Sequence, residues 1–415
     1  MMERYKAYKE SELPWLRTIP EHWEVKRIKD IFTEIKEVVG ERSDDYTLLS
    51  LSTQGVIERD IVSGKGKFPK EFDSYKIVNP TNLVFCLFDV DETPRTVGYV
   101  QQTGMLTGAY DVFSVSNANT LYVYYYFIAL DNEKSLKPLY RGLRKVIPMI
   151  SFMSMPIYLP PLEEQQAIAE YLDRETVRID RIVELLTKQR ECYAQLKRSL
   201  ISEVVTHGLP HHNPANYRTL RLKDICIINP SYTGNLSDNE QVSFFPMENI
   251  KQGYFINDQN RLLSEVKGKY TYCANGDIVM AKITPSFENG NIALLNGLTN
   301  GIGFGSSELI PFRPSTMVDP TYLLYFLQTD QFKNKAIRTI KGVGGLRRID
   351  IDDLKVFPIS LPPLEEQQEI VAYLDERCKR LDRLVEAIDR KIDLLGSLKK
   401  SLIEEVVTGQ RRITN

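Results

Sequence analysis

Two stretches of this chain concentrate positive charge with no acid among them. Lys134, Lys137, Arg141, Arg144 and Lys145 occupy the first, and Lys333, Lys335, Arg338, Lys341, Arg347 and Arg348 the second. Cationic side chains at this density suit the phosphates of a nucleic acid, where they displace counterions and fix register. The glycines of RGLRK and KGVGGLRR would let a backbone approach a duplex closely. The competing reading is a solvated helix face and loop. A second group of donors follows an apolar run in each half: Arg95 after NLVFCLFDV, and Lys282, Ser286 and Asn289 after DIVMA. Arginine suits guanine and asparagine suits adenine, and the donors differ between the halves.

Other chemistries are poorly provided for. The Pro-Pro pairs sit in Leu-Pro-Pro-Leu rather than in the Asn/Asp-Pro-Pro-aromatic setting of an amino methyltransferase, and neither a dinucleotide fingerprint nor GxxxxGK[ST] occurs. The acids Asp89, Asp91 and Glu92 lack a well-placed lysine partner and read as a solvated turn rather than a nuclease site. His207, His211 and His212 lie in the polar linker HGLPHHNPAN with no cysteine nearby, and read as a solvated cluster. No catalytic residue and no metal site is expected. The aromatic run Tyr122, Tyr124, Tyr125, Tyr126 and Phe127 could stack bases, but its helical spacing, echoed by Tyr322, Tyr325 and Phe326, points to core.

The elements that must carry these residues announce themselves by repetition. LPPLEEQQ at Leu159–Gln166 returns at Leu361–Gln368, and the match continues without a gap through ISEVVT and IEEVVT, about half the positions being identical. Each copy opens on a Pro-Pro pair suited to a helix start, continues with Glu-Glu where the helix dipole favours anions, and holds no Gly or Pro until Gly396. Both are predicted to be long helices, rods of about 65 Å at about 1.5 Å per residue. Steps of seven give Gln165, Leu172, Ile179, Leu186, Tyr193 and Leu200 in one, and Gln367, Leu374, Leu381, Ile388, Leu395 and Leu402 in the other. Ile168, Ile182 and Leu196 continue the seam, which Glu175 and Gln189 interrupt. One helix cannot bury such a stripe alone, so the copies are predicted to pair, antiparallel if a two-fold axis relates the halves. The alternative is that each helix merely covers its own globular neighbour.

The segments before the rods are related more weakly. HWEVKRIKDIF answers NYRTLRLKDIC, NLVFCLFDV answers DIVMAKITP, YVYYYFIAL answers TYLLYFLQT and RGLRK answers GGLRR. Short β runs (47–51, 83–88, 278–283 and 309–312) between Gly, Asn and Pro turns make each a mixed α/β domain. The expected order is a globular domain over 1–158, a helix over 159–209, a second domain over 210–360 and a second helix over 361–415. The fold class is α+β: two homologous α/β domains and two long helices forming an antiparallel coiled coil, with a pseudo-two-fold internal repeat.

Composition agrees with this division. A chain of 415 residues, 42% hydrophobic and 26% charged, is too long for one ordinary domain. The start MMERYKAYKESELPW lacks a signal-peptide core and no apolar run is long enough for a membrane span, so a cytoplasmic protein is expected. The five cysteines are scattered without a CxxC pair and read as reduced, packed thiols. A net charge of −2 means that nucleic-acid binding must come from local patches.

The doubled LPPLEEQQ helix, the C-terminal EEVVTG, the opening LPWLRTIPEHWEVKRIKDIF and GDIVMAKITP resemble the specificity subunit of type I restriction-modification systems, over essentially the whole chain. The resemblance implies a noncatalytic reader of double-stranded DNA, each domain binding one half of a bipartite site while the helices set the gap. It implies two methyltransferase subunits and, in the full complex, two restriction subunits as partners. S-adenosylmethionine, ATP and Mg would then belong to those partners and no cofactor to this chain. The recurring Leu162, Glu163, Glu164, Gln165 and Gln166, with Leu364, Glu365, Glu366, Gln367 and Gln368, are expected to face outward and hold a partner, because helix capping alone would not retain both glutamines. The second half lacks the WLxxIPEHW lead-in and keeps only Tyr217 to Ile225 of it. A coiled-coil scaffold with two protein-binding domains and no DNA specificity shares this architecture and is the rival function.

Overall fold

A computed structural model describes residues 4–13, 15–59, 72–90, 92–340 and 347–413. Its strands fall where β-branched and aromatic runs meet Gly, Asn and Pro breaks, their ends displaced by a few residues from the predicted runs. The chain divides into two compact units, one of Met1–Leu186 with Arg390–Asn415 and one of Thr187–Asp389.

In the first unit Phe32–Ile35, Asp111–Val115, Leu83–Phe85 and Val97–Tyr99 form an antiparallel sheet in that spatial order. In the second, Cys226–Ile228, Leu309–Pro314, Ile278–Ala281 and Ile292–Leu294 do the same. The weak sequence matches therefore mark equivalent strands. The recurring Lys-Asp-Ile has a local cause, because Asp30 accepts the backbone N–H of Arg27 at 3.1 Å and Asp224 that of Arg221 at 3.0 Å. The strand before each of these turns pairs with the strand that leads into the rod: Glu24–Arg27 with Pro156–Leu159, and Arg218–Arg221 with Pro358–Leu361. Beyond this shared frame the units diverge. The second has another four-stranded sheet, in which Gln241–Phe245 lies parallel to Ile302–Gly305.

After the sheet each unit forms an aromatic helix, Thr120–Asn132 capped by Asn119 and Pro320–Gln328 capped by Asp319. Tyr122 and Tyr322 are fully buried and Phe127 nearly so, which makes the aromatic run core rather than a stacking platform. Phe85, Phe113, Phe127 and Phe152 pack ring against ring at 4.8 to 5.9 Å. Four of the five cysteines are buried and none is disulfide-bonded, and burial pushes the Cys226 thiol up to about 12.

The repeated segments are continuous helices, Leu162–His207 of 46 residues and Leu364–Val407 of 44. Gly208 and Gly409 follow their ends at positive φ, the left-handed turn that a residue with a Cβ adopts only under strain. In the second unit Arg190 pairs with Asp389 and Lys197 with Asp382, both at 2.7 Å, so positions rise along one helix as they fall along the other. The helices are antiparallel. In the first unit Asp180 meets Lys399 at 2.6 Å, the same two repeat positions as Asp382 and Lys197 with the copies exchanged.

Apolar packing is richest toward the rod ends. Ile168, Leu172 and Ile179 share the first unit's core with Leu402, Ile403, Val406 and Val407, while Ile201, Val204 and Val205 share the second's with Ile370, Leu374 and Cys378. Toward the helix middles the seam thins, and Leu196, a predicted seam residue, is 52% exposed. A two-helix contact without a domain behind it covers only a narrow stripe, and Leu196 falls outside it. Among the described residues no helix is long and apolar enough to cross a membrane.

Tyrosine hydroxyls tie the aromatic helices to the rod ends. Tyr322 donates to the Val205 carbonyl at 3.2 Å, and Tyr122 to the Tyr158 and Val407 carbonyls at 3.1 and 3.4 Å. Carbonyls in the last turn of a helix have no intrahelical partner, so these bonds satisfy groups that burial would strand. Tyr322→Phe should therefore lower stability by about 1 to 2 kcal/mol in urea unfolding of the whole chain. An unchanged midpoint would mean that water replaces the hydroxyl.

Candidate nucleic-acid interface

In the first unit the basic run folds back on the end of its central strand. Arg141 and Val146 exchange backbone hydrogen bonds of 2.9 and 3.1 Å across a tight hairpin, and Gly142 enters its turn at φ +69°. Two further backbone bonds dock the hairpin: Ile147 N–H donates to the Leu87 carbonyl at 2.8 Å and Asp89 N–H to the Arg144 carbonyl at 2.9 Å. The Arg144 guanidinium lies 3.1 Å from the Asp89 carboxylate and 5.8 Å from the Phe88 ring centre. Asp89, expected on a solvated turn, anchors this hairpin. Lys137, Arg141 and Arg144 are exposed and Lys145 is half-buried.

The second unit repeats the docking. Ile349 N–H donates to the Lys282 carbonyl at 3.1 Å and Thr284 N–H to that of Arg347 at 3.4 Å. Ser286 and Asn289 lie on the adjoining turn, which buried Phe287 pins, and Asn289 is exposed there, its carbonyl accepting from the Gln252 side chain. Arg347 is exposed. Lys341 lies outside the described residues, as does Asp91.

Besides Arg144, three predicted DNA contacts have internal partners, and these three, unlike Arg144, are not exposed. Arg95 donates to Asp131 at 3.2 Å and to Asn132 at 3.0 Å, and Lys134 reaches Asp131 at 2.8 Å. The Asp131 side chain is 1% exposed. A buried carboxylate needs such cations, which makes Arg95 and Lys134 struts of the fold. Arg348 grips Glu308 through two nitrogens and holds that carboxyl below its usual range. The sequence lists all of these as charges and cannot show that an acid distant in the chain takes them up.

The repeated glutamines also correct the outward-facing expectation. Gln165 is 3% exposed; it accepts the Asn119 N–H at 2.8 Å and donates to the Pro160 carbonyl at 2.8 Å. Gln367 is fully buried and does the same with Asp319 at 2.8 Å and Pro362 at 2.9 Å. Glu164 accepts from Tyr5, His22 and Trp23 at 2.5, 2.8 and 3.2 Å. Leu162, Glu163, Gln166, Leu364, Glu365 and Gln368 remain exposed around each helix start.

Without the tryptophan lead-in, the second half packs its linker differently. His211 and His212 both point Nε2 at one Glu369 oxygen, at 2.8 and 3.1 Å, while the Leu209 N–H donates to His212 Nδ1 at 3.2 Å. Nδ1 is thereby the acceptor, so Nε2 carries the proton and donates to Glu369. The pair holds the Glu369 carboxyl below its usual range. His212, expected to be solvated, has a side chain only 3% exposed and lies 3.5 Å from Glu366, the counterpart of Glu164.

A family model described as the type I restriction modification DNA specificity domain matches residues 20–190 and again 214–393. The chain belongs to that family. The specificity subunit of the EcoAI type I restriction enzyme of Escherichia coli is 32% identical over 231 residues, 52% of this chain and 39% of that protein. The MjaVIII specificity subunit of Methanocaldococcus jannaschii is 26% identical over 442 residues, 100% of this chain and 99% of that one. The chain thus spans about two fifths of the EcoAI subunit and nearly all of the MjaVIII subunit. A chain from a structure concerned with assembly and conformational transition of the type I restriction-modification system is similar at a TM-score of 0.71 and 16% identity, covering 94% of this chain and 99% of its own. The HsdS subunit of Thermoanaerobacter tengcongensis gives 0.52 at 18% identity over 94% and 98%. These likenesses bear out the predicted fold.

Within this specificity fold, charge in a strut and charge on a surface separate by mutation. Arg95→Ala should cost about 2 to 3 kcal/mol of stability, because Lys134 stays with Asp131 but part of a buried charge is left unpaired. Arg347→Ala should leave the unfolding midpoint within about 0.5 kcal/mol. Equal effects of the two in denaturant unfolding would show that Arg95 is not a strut.

Proposed function

We propose that this chain is the noncatalytic DNA reader of a type I restriction-modification complex, each domain reading one half of a bipartite site in double-stranded DNA. The observation that carries this reading is the doubled docking of a basic segment onto the end of the same strand of the same sheet, within a chain matched twice by a DNA specificity family. Arg141, Arg144 and Arg347, with Lys137 and Lys145, supply phosphate contacts; Lys282, Ser286 and Asn289 offer donors to base edges in the second unit. The long helices set the gap between half-sites. Their exposed starts, Leu162, Glu163 and Gln166 and the equivalent Leu364, Glu365 and Gln368, dock two methyltransferase subunits, and the full complex adds two restriction subunits. S-adenosylmethionine, ATP and Mg act in those partners, in the cytoplasm.

The experiment is methylome sequencing of a host expressing this chain with its cognate methyltransferase. It should reveal one bipartite motif whose half-sites lie about one helical turn apart, roughly 34 to 36 Å. Modification without a split motif, or none that depends on this chain, would overturn the reading. On the same duplex Arg141→Ala should weaken binding and flatten its dependence on salt, by close to one unit of slope. A heptad inserted into both helices keeps the seam in register and adds about 10 Å, near three base pairs. The modified motif should lengthen accordingly; an unchanged spacing from an assembled complex would show that the helices are not the ruler.

A further inference from the structure

Leu143 is 102% exposed, so no other part of the fold covers it. It sits at the tip of the basic hairpin, between Gly142 and Arg144, and contributes nothing to the core. Val146, which closes the same hairpin, is 37% exposed. The tip is nonetheless held in place. Backbone bonds between Arg141 and Val146 close the hairpin, Lys145 N–H donates to the Gly142 carbonyl at 3.2 Å, and the bonds to Leu87 and Asp89 fix its base.

An apolar side chain on a rigid stem, rimmed by cations, matches one partner well. A duplex offers phosphates at the edge of its groove and apolar base faces within, and leucine is among the side chains that wedge between base steps from the minor groove. A protein partner matches less well, because the centres of protein interfaces are depleted of charge and this tip lies in a run of five cations without an acid. We propose that Leu143 is a wedge that enters the minor groove of the half-site read by the first unit and unstacks one base step. The proposal rests on the DNA-reading function above and adds the residue by which the first unit deforms its site. A step that parts easily, pyrimidine followed by purine, is then favoured at that position without any hydrogen bond to its bases.

The test uses the complex of this chain with its methyltransferase at saturating concentration. The duplex carries the mapped site, with 2-aminopurine substituted at each position of both half-sites in turn. Besides any base that the methyltransferase extrudes for modification, wild type should brighten one further step, in the half-site read by the first unit. Leu143→Ala should abolish that rise, leave any rise in the other half-site intact and weaken binding about tenfold or more, the scale of one buried leucine side chain. Leu143→Phe, still an apolar wedge, should keep the rise. Because Leu143 touches nothing, the unfolding midpoint and co-elution with the methyltransferase should not change. If Leu143→Ala binds and brightens as wild type does, the wedge is overturned and DNA reading stands. Loss of methyltransferase co-elution in Leu143→Ala overturns it in favour of a protein contact. Failure of wild type to bind the duplex at all overturns both.

Discussion

One buried side chain at the start of each rod holds three elements together. Gln165 takes the backbone N–H of the residue that caps the aromatic helix and gives a hydrogen to the carbonyl of Pro160, between the incoming strand and the rod. Gln367 makes the same two bonds and adds one to the Met317 carbonyl at 3.1 Å. A carboxylate could accept here but has no hydrogen to give, and an apolar residue would strand both backbone groups at a buried junction. The amide is the group that fits, which accounts for the survival of this glutamine in both copies where domain sequences have drifted.

The rest of each unit builds outward from that junction. The aromatic helix begins at the glutamine and delivers a tyrosine hydroxyl to the last turn of the opposite rod, Tyr122 to Val407 in one unit and Tyr322 to Val205 in the other. Each globular domain therefore needs the first half of one rod and the second half of the other. Neither repeat could be lost without opening both cores, whereas the far edges of the sheets carry no such demand. The two units differ there, one with short hairpins and the other with an added four-stranded sheet.

This division governs what was legible in the sequence. Periodicity gave the rods and their pairing because a seam of sevens is local information. The weak matches between the halves pointed to two homologous α/β domains, because equivalent strands such as Leu83–Phe85 and Ile278–Ala281 kept their apolar character; the sheet order came only with the fold. What stayed hidden depended on partners far along the chain. Arg95 meets Asp131, Arg348 meets Glu308, and His212 folds under the linker against Glu369. A charge count treats these as surface; only the fold shows which ones an acid has claimed. The burial of Gln165 is hidden for a related reason, since repetition marks constraint and does not say whether the constraint faces inward or outward.

The same accounting applies to the basic segments. Both units need a cation-bearing segment fastened to the end of the central strand, and both achieve it with backbone bonds that place few demands on side chains. The side chains that lock it are interchangeable in kind but not in position. Arg144 closes on Asp89, from the strand's own exit, while Arg348 closes on Glu308, from the turn before the neighbouring strand Leu309–Pro314. The exposure is the same in both: Arg144 and its counterpart Arg347 are exposed, Lys145 and its counterpart Arg348 half-buried. The ion pair can thus be relocated while the backbone docking and the glutamine junction beneath it stay the same.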